Sequence, residues 1–172
     1  MESRLYFMKT PRLGFSRWER SDIGLARKLW LCPEVSRFIC ASGRFSEKEV
    51  SERLALEISN GLEQGVEYWP IFELSSGQFA GCCGLRPHGN QYEFGIHLLP
   101  SFWGKGFASE AGKAVIRFAF DDLNAEVLFA GHHPNNEASR KLLSNLGFTY
   151  VGDEYYPPTG LNHPSYELKK NF

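Results

Sequence analysis

Residues 103–109 read Trp-Gly-Lys-Gly-Phe-Ala-Ser, between an apolar run that ends at Pro100 and a helical run from Glu110 to Phe120. A strand, a glycine-rich turn and a helix in that order form an anion trap. The first amides of a helix have no partner within it, and the helix dipole adds partial positive charge at the same place. Gly104 and Gly106 let the backbone approach a bulky anion such as a diphosphate. Whatever fold the chain adopts must open the junction of strand and helix toward a ligand.

The rest of the chain sets limits on that fold. Its 172 residues suffice for one domain, 1–172, with a full hydrophobic core. A net charge of −1, with Lys and Arg scattered, predicts neither a nucleic-acid nor a membrane partner. No apolar run is long enough to span a bilayer and no leader pattern is visible, so a cytoplasmic location is expected. Cys32, Cys40, Cys82 and Cys83 form no C-x-x-C pair and are read as reduced thiols. His132 and His133 are adjacent, and His88, His97 and His163 lie far from them in sequence, so no metal site is expected.

Periodicity predicts a strand at residues 13–18, a helix from the Ser21-Asp22 cap to Leu31 ended by Pro33, and a helix behind the capping box Ser46-Glu47-Lys48-Glu49. That helix carries Val50, Leu54 and Ile58 on one face. A meander of strands follows at 67–74, 79–85 and 91–99, then a helix at about 106–121, a strand at 127–131 and a helix at about 136–146. Two closing strands, 149–156 and 165–168, flank a Pro- and Gly-rich loop, 157–164. Antiparallel strands first and helical crossovers later give an α/β (α+β) fold around a mixed sheet.

Three phosphate loops can be compared with residues 103–109. The Walker A pattern fails at Leu99 and Gly106. The dinucleotide fingerprint G-x-G-x-x-G fits Gly104 and Gly106 but meets Ser109 at its third glycine, and no second βαβ half follows. The segment 103–108 resembles instead the acyl-CoA loop of the GNAT superfamily of N-acyltransferases, [QR]-x-x-G-x-[GA], with Trp103 at the first position in place of Gln or Arg. Further stretches are similar to the RimJ/RimL-like branch of that superfamily: Thr10-Pro11-Arg12-Leu13 followed by Asp22, Glu93-Phe94-Gly95-Ile96, Glu110-Ala111, and Asn136-Glu137-Ala138-Ser139 followed by Leu146-Gly147-Phe148.

The resemblance implies a central mixed, mostly antiparallel sheet with helices on both faces. It also implies acetyl-CoA as acyl-donor co-substrate, with no metal, and acetyl transfer to a primary amine by direct attack in a ternary complex. The donor diphosphate would lie on the amides of Gly104, Lys105, Gly106, Phe107, Ala108 and Ser109. Lys105 either adds a positive charge there or is a solvated surface lysine. Main-chain groups around His97 and Leu98 would pair with the pantetheine amides, as an added strand does.

Aminolysis of a thioester needs the amine to lose a proton and the thiolate to gain one. Glu93 is the first candidate base, with the structural alternative that it bonds a neighbouring strand; Glu67 and His97 are secondary candidates. Leu143 stands where many members of the superfamily carry a tyrosine acid. Ser139 is then the candidate proton donor to sulfur, or else only a first-turn helix residue. Asn136 is a helix cap, a pantetheine ligand, or both. The acceptor is expected to be a small-molecule amine or a protein N-terminus, met in a cleft bordered by aromatic residues such as Tyr68 and gated by the loop 157–164. A monomer or a homodimer is expected. The rival readings are a CoA-binding sensor without activity on the same fold and a nicotinamide-dependent oxidoreductase.

Overall fold

The computed structural model of the chain describes residues 3–171. Eight strands form one sheet: β1 (Met8–Lys9), β2 (Leu13–Phe15), β3 (Tyr68–Glu73), β4 (Phe79–His88), β5 (Gln91–Leu98), β6 (Val127–Gly131), β7 (Thr149–Tyr156) and β8 (Leu161–Lys169). Their order is β1-β2-β3-β4-β5-β6-β8-β7. Every neighbouring pair is antiparallel except β5 with β6, which is parallel. The helices are α1 (Ile23–Trp30), α2 (Pro33–Ser36), α3 (Glu47–Gln64), α4 (Phe107–Arg117) and α5 (Glu137–Asn145). The predicted mixed α/β sheet is therefore the observed one.

The helices cover both faces. On one face Trp30 of α1 reaches His97 of β5, and Glu57 of α3 bonds the Tyr68 amide of β3. On the other, Gly112 of α4 lies under the Phe94 ring, and Trp69 packs on Phe118 just after α4. A sheet covered on both sides has strands without polar alternation, and residues 79–85 of β4 are buried throughout. Cys82 and Cys83 are both buried and free there.

Several boundaries differ from expectation. The first predicted strand stops at Phe15, and Met8–Lys9 adds an edge strand beside it. Pro33 ends α1 and also opens the short α2, where a missing N–H costs nothing. The helix expected at 106–121 is α4 followed by a π-helical turn, Phe118–Asp122. The last strand begins at Leu161, because residues 161–164 pair with residues 153–156 of β7. Pro164 is tolerated in it because β6 ends at Gly131, opposite Ser165. The expected gating loop 157–164 is thus a four-residue turn, 157–160.

Candidate active site

The parallel pair holds the key to the site. It consists of Tyr92 opposite Leu128 and Glu93 opposite Phe129, and beyond it β5 and β6 part. A large cleft of about 960 Å³ opens along this parting. Its lining includes Phe94–Leu98 on one side, Ala130–His133 on the other, the loop before α4, and the first turns of α5.

Strand register decides which main-chain groups face the cleft. Leu99 donates its amide to Ala80 across β4, so alternate residues His97 and Gly95 also turn their amides and carbonyls to β4. Ile96 and Leu98 turn theirs to the cleft. The Leu98 carbonyl accepts the Trp103 indole N–H at 2.9 Å. The expectation for His97 is corrected by one residue: its main chain is taken up by the sheet, and Ile96 with Leu98 carries the open edge.

The loop before α4 offers the second set of main-chain groups. Gly104 and Gly106 adopt φ of 72° and 81°, left-handed values that strain other residues. The Trp103 amide bonds Pro100 and the Glu110 amide bonds Gly106. Between them, among the described residues, the amides of Gly104, Lys105, Gly106, Phe107, Ala108 and Ser109 have no protein acceptor. The Lys105 side chain does not join them; its ammonium folds back onto the Ser101 carbonyl at 2.9 Å and lies outside the cleft lining.

Arg12 braces this loop. It donates to the Lys105 carbonyl at 2.9 Å, pairs with Glu110 at 2.7 Å and lies 4.1 Å from the centroid of the Phe107 ring. Glu110 also accepts from the Thr10 hydroxyl at 2.6 Å and the Arg12 amide at 2.9 Å. Burial works against its charge, but the bonds from Thr10 and Arg12 outweigh it and hold the carboxyl below the usual range. The loop is held open by a contact between residues nearly a hundred positions apart, which no local pattern reveals.

At the start of α5 the Asn136 side chain caps the helix by accepting the Ser139 amide at 3.1 Å. Asn136 and Ser139 both line the cleft. Leu143 is buried in the cleft wall, so its position offers no proton.

The face of β5 toward α1 and α3 carries Glu93, Gly95 and His97. Gly95 is required there, since a Cβ would stand 2.3 Å from Cζ of Tyr68, whose ring lies across it. Glu93 is half-exposed, 3.8 Å from the His88 imidazole and opposite Arg86 in the next strand. Partial burial raises its carboxyl above the ordinary range, with Glu154 adding to this and His88 and Arg86 opposing it. His97 accepts the Trp30 indole N–H on Nδ1 at 3.2 Å, and burial, with Arg53 and Arg86, keeps it neutral far below its usual pKa. An imidazole with so low a pKa is a poor base near neutrality. Glu67 lies outside the cleft lining: its buried carboxyl accepts the Trp18 amide at 2.8 Å and fills the space beside Gly61. It is a structural carboxyl in this fold.

Arg53 and Arg86 are missed from sequence, and Arg12 enters there only as part of the stretch Thr10-Pro11-Arg12-Leu13, without its role in bracing the loop. Arg86 lies 4.2 Å from the Tyr68 ring centroid and pairs with the fully buried Glu57 of α3. No group of metal-ligating side chains is present among the described residues, and no described helix is long and apolar enough to cross a membrane.

Residues 12–149 match the model of the acetyltransferase (GNAT) domain. The chain is 28% identical over 146 residues to the uncharacterized N-acetyltransferase p20 of Bacillus licheniformis, covering 83% of this chain and 82% of that one. It is 26% identical over 174 aligned positions to the FsC-acetyl coenzyme A-N(2)-transacetylase of Aspergillus fumigatus, covering 88% and 72%. Among solved structures, RimJ of Mycobacterium smegmatis in complex with a CoA disulfide superposes with a TM-score of 0.75 at 16% identity, covering 91% of this chain and 81% of that one. With the parted strands, the free amides before α4 and these matches together, the chain belongs to the GNAT family and is an acetyl-CoA-dependent acetyltransferase.

Proposed function

We propose that the protein moves the acetyl group of acetyl-CoA to a primary amine, by direct attack with both substrates bound in the cleft. The observation that carries this reading is the meeting, in one cleft, of two sets of main-chain groups that the sheet and the helix leave unpaired, the Leu98 carbonyl excepted since it accepts the Trp103 indole N–H. The amides of residues 104–109 suit a diphosphate, and the open edge at Ile96 and Leu98 suits an extended chain with its own amides. Acetyl-CoA carries both, one at each end of its pantetheine arm. One amide of that edge also polarises the thioester carbonyl.

Glu93 takes the proton from the attacking ammonium, directly or through water. A carboxyl with a raised pKa is a stronger base than an exposed one, and it faces the same cleft. The amine nitrogen then forms its bond to the acetyl carbon, the C–S bond breaks, and the second proton lost by nitrogen passes by way of the Ser139 hydroxyl to the departing thiolate. Ser139 donates toward the departing sulfur, and Asn136 fixes the helix turn that carries it. The buried thiols Cys82 and Cys83 have pKa values pushed up by burial, that of Cys82 to about 12, which argues against an acyl-enzyme on either sulfur.

Thermal melting with acetyl-CoA, CoA, NADH and ATP in parallel tests the donor. A ligand at 100 times its Kd adds about 2.7 kcal/mol, or roughly 5–10 °C for a chain of this size. A shift with acetyl-CoA and CoA alone is expected, followed by amine-dependent thiol release. A shift with NADH alone overturns the reading. Binding of acetyl-CoA without thiol release to any amine reduces the protein to a sensor.

A further inference from the structure

Arg53 stands on α3 one helical turn before Glu57, and both face the sheet. The Glu57 carboxylate is already committed. It accepts the Tyr68 amide at 2.8 Å and the Arg86 guanidinium, through Nε at 3.2 Å and through Nη2. Two guanidiniums therefore stand near one buried carboxylate that pairs with Arg86 alone, and the surplus positive charge falls on Arg53. Its Nε is buried without a hydrogen-bond partner. Among the described residues no carboxylate comes within ion-pair distance of it.

Aromatic faces hold it in place instead: its guanidinium carbon lies 5.1 Å from the Trp30 ring centroid and 5.5 Å from that of Phe45. A buried guanidinium without a counter-ion is costly to fold. Burial, and then the nearness of Arg86, lower the pKa of Arg53.

The cleft lining brings Arg53 of α3 and Arg86 of β4 together with Glu93, Glu154 and Glu167 of β5, β7 and β8. Glu93 stands opposite Arg86, but the Arg86 guanidinium is already committed to Glu57, so of these two arginines Arg53 is the one left without a carboxylate among the described residues. Glu34 of α2 also lines the cleft, accepts the Cys32 thiol at 3.3 Å and makes no ion pair with Arg53. Lys141 of α5 lines the cleft as well. A ligand that completes this arrangement has an anion at one end and an amine at the other.

We infer that the acceptor is a small amine bearing its own carboxylate, with the carboxylate held by Arg53 and the amine turned toward Glu93. This rests on the N-acetyltransferase reading above. A guanidinium matches a carboxylate through two parallel hydrogen bonds, and the ligand supplies the counter-ion that the folded chain lacks. A polyamine, which brings only positive charge, sets a cation against Arg53.

The test is thiol release from acetyl-CoA with the common amino acids, each paired with its primary amide, beside spermidine and a neutral peptide amide with a free N-terminus. At least one amino acid is expected to turn over with a kcat/KM about 10-fold or more above its amide. Arg53→Met is expected to bring that ratio to about one, while the KM for acetyl-CoA stays unchanged. Arg53→Lys, which keeps the charge without the fork, is expected to restore part of the ratio. Because Arg53 lacks a counter-ion, the Tm of Arg53→Met should fall no more than about 2 °C below the parent. Equal use of acid and amide, a ratio that survives Arg53→Met, or turnover of spermidine or the peptide amide alone overturns the inference and leaves the N-acetyltransferase reading intact. Failure to bind acetyl-CoA overturns both.

Discussion

At one end of the cleft the unpaired groups belong to the main chain: six amides across the loop 104–106 and the first turn of α4, and the open edge of β5 at Ile96 and Leu98. At the other end they are side chains gathered from α3, β3, β4 and β5, with Arg53, Arg86, Tyr68 and Glu93 among them. Main-chain sites depend on backbone conformation and tolerate many side chains, so they suit a ligand that stays the same, such as an acyl-CoA. Side-chain sites change with each substitution and suit the partner that varies. Under the proposed function, this division gives donor binding to the first end and acceptor choice to the second.

Gly106→Val breaks the first end while sparing the second. Gly106 holds φ at 81°, a value costly for any β-branched residue, and a Cβ there meets the Arg12 guanidinium at 3.3 Å. The turn must reorganise and the amides of residues 104–109 disperse. The Kd for CoA, measured by calorimetry, is expected to rise about 10³-fold, or about 4 kcal/mol. Unchanged affinity would move the donor site elsewhere.

Glu67 and Glu93 separate a structural carboxyl from a cleft carboxyl, although one stands just before β3 and the other on β5 of the same sheet. Burial raises Glu67 from its ordinary 4.5 to about 7, against the opposing bond from the Trp18 amide. Between those values the folded chain holds a proton that the unfolded chain has released. Stability is therefore highest below about pH 4.5, as far as this group is concerned, and is withdrawn as pH rises through 7, by about 3 kcal/mol at full effect. Glu67→Gln removes the withdrawal. Its Tm is expected to fall less than the parent's between pH 5 and pH 8, with turnover little changed. Parallel melting curves for the two proteins would contradict the burial of this charge.

The order of elements and the glycine turn were legible because they rest on local rules: periodicity, capping and the positive φ that glycine permits. The side-chain end was not. The spacing of Val50, Leu54 and Ile58 finds the inner face of α3, yet it leaves Glu57 looking like one more surface charge. Glu57 is fully buried because Arg86, 29 residues later, meets it in the folded sheet. The exchange of Ile96 for His97 has a related cause. Side-chain pattern tells which face of β5 is apolar, but the direction of each amide depends on how β5 registers with β4. Residues 161–164 read as loop from their Pro and Asn content, and only pairing with β7 makes them strand.

Glu93→Gln tests the acceptor end at its chemical step. If Glu93 carries the proton from the amine, kcat falls about 100-fold. The acidic limb of the pH–rate profile for the parent lies above the ordinary carboxylate range, because burial raises the group, and activity climbs as Glu93 loses its proton. That limb is expected to vanish in the variant, while the KM for acetyl-CoA holds. A limb that persists unchanged assigns the proton transfer to another group.

Ser139→Ala reaches the boundary between the two ends, where the proposed function puts the thioester, and its expected effect is the smallest. The Ser139 amide is already satisfied by the Asn136 cap, so removing the hydroxyl leaves α5 folded. Leu143 supplies no proton nearby, so the departing sulfur depends on Ser139 or on water. Water replaces the hydroxyl in part, which limits the loss to about 10-fold in kcat, or about 1.4 kcal/mol. The loss should shrink when acetyl is delivered on a thiol of lower pKa, since a better leaving group needs less help. An equal loss on both thiols would make Ser139 a residue that only shapes the cleft, and the proton would then have to come from solvent.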